Sequence, residues 1–387
     1  MAPAPSCGPI VRNAMRIEQI EIIKASRYLF VQVHTDAGIS GLGEAGMWGY
    51  LGANEAVIRA WEPYLVGQDP ARIEHHWQYL YRSRHFPDGA VTGALGAIDA
   101  ALWDILGKRC EVPVYQLLGG KARDRIRVQT QVDAPTIDGM IDNAKRDIAR
   151  GITALRVTPF APNFASMRYD AIIKEAVERV SALRATVGDG VDIGVEIHRR
   201  LLPGDAITLA AALEHFHPLY YEDPIVPDSI QSAAEIARAI HLPIATGERL
   251  HSIYAFRELF ASGAARYARV DPCLAGGLTG AKKIAAVAES YHVGVMPHGT
   301  LSTVSTAISA HLDACIPNFV LQDYLGDDLP PKNDLLVENL ELVDGYLRIP
   351  EKPGIGVELK PGIAEKYPFA APRIETPLHE DGSVADR

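Results

Sequence analysis

The chain has 387 residues, of which 48% are hydrophobic and 22% charged, and a formal net charge of −10. That length calls for a pair of domains or one large barrel with a cap, and the composition is that of an ordinary globular protein. The acidic balance argues against a nucleic-acid binder, which needs clustered Lys and Arg, and against docking on anionic membranes.

In chain order, MAPAPSCGPIVRNA (1–14) lacks the apolar core of a signal peptide and reads as a disordered leader. IEQIEIIKA (17–25) and YLFVQVHT (28–35) are apolar or β-branched runs, the second leading into the turn signal DAGISG. With LGEA (42–45) they predict a small antiparallel sheet. Helical patterns follow in NEAVIRAWEPYLVG, ARIEHHWQYLYRSR and the Ala- and Leu-rich VTGALGAIDAALWDILGKRC, and LLGGKARD (117–124) is a Gly-marked stop. Residues 15–125 are therefore expected to form an α+β capping domain.

From residue 126 the texture becomes short apolar strand, loop, helix, repeated. IRVQTQV, ALRVTPF, VDIGVEIH, PLYYEDP, LPIATGE, YARVDP, VGVMPHG and NFVLQDY are separated by helical stretches. Such alternation indicates βαβ units and a parallel sheet, and polar residues at each strand's C-terminal end favour a closed TIM-type (β/α)7-8 barrel over 126–325. The Pro- and Gly-rich remainder, 326–387, is expected to return to the cap. Cys7, Cys110, Cys273 and Cys315 show no metal or redox spacing and read as reduced thiols of a cytoplasmic protein. No apolar run reads as reaching the roughly 20 residues of a membrane span.

The strand ends carry Glu196, Glu222, Glu248, Asp271, His298 and Asp323, at separations of 26, 26, 23, 27 and 25 residues. One βα unit takes about that length, so these side chains ring one mouth, the face where barrel active sites sit. Three carboxylates from adjacent strands with no Cys nearby suit a hard cation such as Mg²⁺, which keeps positions open for substrate oxygens. Glu196 and His198 are two residues apart, so strand alternation would point both into the mouth. Asp271 and His298 fall on neighbouring strands, where a carboxylate fixes the imidazole's tautomer and raises its basicity. Asp271 also fits a plain turn residue before Pro272.

With these residues placed, the chain resembles the mandelate racemase-type branch of the enolase superfamily, from about Met15 to Leu359. AIDAALWDILGKRCEVPVYQLLGG (97–120) is similar to that family's join between cap and barrel, and IPEKPGIGVEL (349–359) to its return to the cap. The resemblance implies Glu196, Glu222 and Glu248 as Mg²⁺ ligands, His298 with Asp271 as base, and His198 as acid. Asp323 would hydrogen-bond the substrate carboxylate or the enolate oxygen. Trp48 and Tyr50 in GEAGMWGYLG (43–52) would belong to a lid, with His85 reaching in from the cap. The family more often has Asp for the first ligand and Glu on the eighth strand, so Glu196 is longer and Asp323 shorter than the pattern. Arg156-Val157-Thr158 stands where racemases place a Lys-x-Lys pair.

The implied reaction is Mg²⁺-dependent dehydration of an acid sugar, an aldonate such as galactonate, gluconate or a pentonate, to a 2-keto-3-deoxy acid. A mannonate dehydratase, with Arg156 and Tyr169 imitating that group's Arg–Tyr base, stays open, and Arg156 is otherwise expected at the substrate. So do a sugar-diacid dehydratase, an epimerase or racemase, and a non-catalytic relative. The expected partners are a small-molecule acid sugar and further copies of the chain, with neither nucleic acid nor membrane.

Overall fold

The computed structural model describes residues 15–47, 49–371 and 376–385. The expected leader, and Trp48 in the expected lid, lie outside them. The N-terminal region opens with an antiparallel meander of β1 (Ile17–Ala25), β2 (Tyr28–Thr35) and β3 (Ser40–Glu44). Three helices pack on it: α1 (Leu51–Leu65), α2 (Ile73–Arg82) and α3 (Gly89–Cys110).

The sequence reading is corrected at α3. Its 22 residues are long and apolar enough to cross a membrane by length and composition. Most of that stretch is buried inside the molecule, because α3 lies between the meander and the barrel. It touches both through bare backbone. A Cβ at Gly43 would sit 2.0 Å from the Ala97 carbonyl oxygen, and one at Gly96 would sit 2.4 Å from that of Cys273.

After α4 (Val114–Leu117) the barrel begins with β4 (Arg125–Gln131) and α5 (Ile137–Ala149). It continues through β5 (Ala154–Val157), α6 (Tyr169–Val187), β6 (Asp192–Glu196), α7 (Pro203–Leu213), β7 (Tyr220–Glu222) and α8 (Ile230–Ala239). The last units are β8 (Ile244–Thr246), α9 (Ile253–Ala261), β9 (Tyr267–Ala268), α10 (Gly277–Ser290), β10 (Gly294–Val295), α11 (Thr303–Cys315) and β11 (Gln322–Asp323). Neighbours from β4 to β10 pair in parallel. A Val295–Phe319 bridge joins β10 to the run into β11, and β11 pairs with β4, so the ring closes. It is the expected barrel, with seven crossover helices for eight strands.

The first half of β4 does something the sequence reading did not foresee. It pairs antiparallel with β13 (Tyr346–Arg348), itself in a hairpin with β12 (Leu342–Val343). The chain then runs along the cap: Val114 N donates to Gly354 O at 2.9 Å, and past α12 (Ile363–Lys366) Ala370 N donates to Ser26 O at 2.7 Å. Its last described stretch reaches a barrel loop instead, where His379 Nδ1 lies 3.0 Å from Ala165 O.

Inside the ring, Ala154, Tyr220, Ala245, Met296 and Leu321 form an apolar floor. Gly194 makes room for it, since a Cβ there would lie 2.1 Å from the Tyr220 ring. Above the floor the filling turns polar. Tyr220 donates to Gln129 Oε1 at 2.7 Å, and Gln129 Nε2 donates to Asp323 Oδ1 at 2.7 Å. The strands thus carry a buried, hydrogen-bonded polar layer up to the mouth.

Candidate active site

The register of β6 and β7 sets Glu196 directly opposite Glu222, each the last residue of its strand. Glu248 follows β8 after Gly247, whose φ of 127° turns the chain inward. All three carboxylates are buried and offer oxygens within 4.8 Å of one another. Burial first, and the Glu222 charge next, hold Glu196 well above the usual carboxylate pKa. Burial would also raise Glu248, but His298 and Arg199 outweigh it and hold the group down at about 2.

Besides Arg199, which pairs with Glu248, two guanidiniums balance this charge. Arg156 Nη1 lies 3.6 Å from Glu196, 3.5 Å from Glu222 and 3.7 Å from Asp323. Arg269, fully buried, joins Glu222 to Asp323 and donates to Met296 O at 3.1 Å. The donor set facing the mouth is all carboxylate oxygen, without sulfur, and its spacing fits one hard divalent cation.

Asp271 Oδ1 accepts from Cys273 N at 2.9 Å, which leaves Oδ2 to meet His298 Nδ1 at 3.0 Å. Nδ1 then carries the proton, so Nε2 is the basic nitrogen; it lies 3.4 Å from Glu248 Oε2. Burial would lower this imidazole, but Glu248 and Asp271 together overcome it and raise its pKa.

Strand alternation does not carry His198 to the mouth, because β6 ends at Glu196. His198 and Arg199 have φ of 55° and 67°, and it is this left-handed turn that brings His198 to the cavity wall. Its N–H donates back to Glu196 Oε1 at 2.7 Å. Burial, then the Arg199 charge, push its imidazole down to about 3, so the ring is neutral here rather than protonated.

These groups open onto a cavity of about 1000 Å³ whose walls include Arg156, Glu196, His198, Glu248 and His298. Asp323 does not line it: Oδ1 accepts from Gln129, and Oδ2 from Arg269 at 2.6 Å and Gly299 N at 3.1 Å. Tyr50 and His85 are exposed and outside it, as is Tyr169 at the start of α6. Arg156 and Tyr169 are therefore not brought together at the cavity.

Sequence reasoning missed Arg269, Gln129 and Gln131, although each follows the alternation rule. Arg269 stands two before Asp271, and the glutamines stand on either side of Thr130 in β4. It also missed Asp133, Thr158, Arg27 and Thr300 on the cavity wall, which lie on loops without a repeat to mark them.

The description "Mandelate racemase / muconate lactonizing enzyme, N-terminal domain" matches residues 12–119, and "Enolase C-terminal domain-like" matches residues 139–363. The chain belongs to the enolase superfamily. Among superfamily relatives, D-galactonate dehydratase of Verminephrobacter eiseniae is 34% identical over 96% of this chain and 100% of its own. That of Ralstonia nicotianae is 36% identical over 93% and 96%. An enolase from Agrobacterium radiobacter, crystallised with sodium and L-malate, superposes with a TM-score of 0.90 at 29% identity, covering 96% of this chain and 100% of that one. A superfamily member from Salmonella Typhimurium gives 0.87 at 30%, covering 92% and 98%.

Proposed function

We propose that this enolase-superfamily protein is a hydro-lyase that dehydrates an aldonate, with D-galactonate first among candidates, to a 2-keto-3-deoxy acid. One observation carries the reading: Glu196 and Glu248 of the three-carboxylate cluster line the same cavity as His298, whose Nδ1 is held by Asp271. The near full-length relatives named D-galactonate dehydratase supply the substrate.

In this proposal Glu196, Glu222 and Glu248 hold Mg²⁺. Bound there, the cation would neutralise the substrate carboxylate and the charge that grows on it as the α-proton leaves. His298 Nε2 takes that proton, oriented by Asp271 through Nδ1. The β-carbon–oxygen bond then breaks, and the hydroxyl leaves as water with a proton from His198. That ring is neutral in the empty site, with Arg199 Nη2 2.8 Å from Nε2, and it becomes an acid once the negative charge of the arriving substrate favours imidazolium and draws that guanidinium away. The enol left behind tautomerises to the ketone. Asp323 acts from beneath, holding Arg269 and Gln129 in place rather than touching substrate.

A sugar diacid is a second reading, favoured by Arg27 and Arg200 on the cavity wall. Cytoplasmic residence and assembly with further copies belong to the same proposal, the first supported by free thiols at Cys110, Cys273 and Cys315. Purified protein with Mg²⁺ should form 2-keto acid from galactonate in a screen of aldonates and aldarates. Product from galactarate alone would shift the assignment to the diacid, and silence across the whole set would overturn it.

A further inference from the structure

Arg199 is an odd residue to find where it is. Its backbone lies in the left-handed region at φ 67°, directly after His198 at φ 55°. Non-glycine residues pay about 1 kcal/mol or more to sit there, and glycine pays nothing. The side chain is also long, charged and buried, which is costly unless it is fully partnered.

Its partners are specific. Nη1 pairs with Glu248 Oε1 and with Asp223 Oδ2, the latter at 3.2 Å. Nη2 lies 2.8 Å from His198 Nε2. The backbone holds the pose from the other side, because Arg199 N donates to Asp223 O at 2.7 Å. One guanidinium thus spans a member of the carboxylate cluster, a second buried acid and the imidazole on the cavity wall.

A guanidinium nitrogen is always a donor. His198 Nε2 must therefore accept, and the ring's single proton lies on Nδ1. Nδ1 is buried and has no hydrogen-bond partner among the described residues. The two histidines are thus prepared by opposite means. His298 has its Nδ1–H fixed by a carboxylate acceptor, and His198 has its Nδ1–H fixed by a cationic donor on the opposite nitrogen.

We propose that Arg199 is the positioning residue for His198, fixing which nitrogen carries the proton and tying the ring's orientation to Glu248. The inference rests on the dehydratase reading for its kinetic consequence, but not for the tautomer itself. Glycine at 199 keeps the backbone conformation at no steric cost, so Arg199→Gly removes the side chain while sparing the turn. Arg199→Lys keeps the charge on a single point donor that cannot span three partners.

The deciding measurement is ¹⁵N NMR of histidine-labelled protein without metal or substrate. Wild type should show a neutral Nδ1–H histidine whose signal disappears in His198→Asn. In Arg199→Gly that signal should move to the Nε2–H form or to a mixture of tautomers, with Arg199→Lys restoring it in part. An unchanged tautomer in Arg199→Gly overturns the proposal, whatever the activity. With substrate, Arg199→Gly should lose about 10–100-fold more in keto-acid release than in exchange of the α-proton with D₂O. Equal loss of both, with the melting temperature falling in parallel, would show a structural role and also overturn it. A wild type that dehydrates no acid sugar would sink the functional reading and leave the NMR test standing.

Discussion

Two groups of buried carboxylates sit in this molecule, one at the barrel mouth and one along the seam between cap and barrel. At the seam each acid accepts hydrogen bonds from the chain itself. Glu44 accepts from Ser302 N, Ser302 Oγ and Ser305 N, and Asp104 accepts from Leu42 N, Ile355 N and Lys108 Nζ. Asp99 takes Thr279 N at 3.0 Å. None of these acids shares its site with another. At the mouth the acids face one another, and only guanidiniums and a histidine stand between them. Burial is equal in both places, so burial alone does not mark function. The mark is a set of like charges held within 4.8 Å of one another at the wall of a cavity.

The strongest break in this comparison is Glu222→Gln. It should abolish keto-acid formation while the circular dichroism spectrum stays that of the folded protein. Chelation should do the same to wild type, with Mg²⁺ restoring the rate; full activity after chelation would remove the metal from the mechanism. Next comes Asp271→Asn. Its carbonyl would stay on Cys273 N, so its amide would donate to His298 Nδ1 and force the proton onto Nε2. We expect a drop in kcat of about 10²–10⁴-fold, with α-proton exchange falling equally.

At the seam the expected readout changes from rate to stability. Asp104→Asn must present an amide to a backbone N–H or to Lys108, costing about 1–3 kcal/mol and lowering the melting temperature by several degrees. Activity per folded molecule should not change. The remaining effect is a pH slope. Burial pushes Asp99 up to about 7, against 3.8 for an unperturbed carboxyl. Between those values the unfolded chain has lost the proton that the folded chain keeps, so wild-type stability falls as pH rises. Asp99→Asn should flatten the curve by at most about 1.4 kcal/mol per pH unit between pH 4 and 7, with no difference in slope above that window. Parallel curves would show that Asp99 is ionised in the native state throughout.

What the sequence revealed follows from which features repeat. Six strand ends at a near-constant interval made the ring of Glu196, Glu222, Glu248, Asp271, His298 and Asp323 visible, because a barrel spaces its strands evenly. Period-two alternation would also have found Arg269 and Gln129, had it been followed inward from the strand ends. It could not place His198, whose position depends on two left-handed residues with no glycine to announce them. Nor could it show that Asp323 turns down onto Arg269, since the direction of a side chain at a strand end depends on a partner contributed 54 residues away. The β12–β13 hairpin was hidden for a different reason: its strands are two and three residues long, too short for a pattern.

The bare contacts of α3 have a consequence for how such a protein can diversify. The strand leading into the expected lid rests on this helix at Gly43, and the helix rests at Gly96 on Cys273, two residues beyond Asp271. No side chain cushions either joint, so helix α3 works as a gauge block of fixed thickness between ceiling and base. A single added methyl at either glycine would lift the ceiling relative to His298. New substrates must then be accommodated by rewriting the loops that hang below, while the height of the chamber stays set by backbone alone.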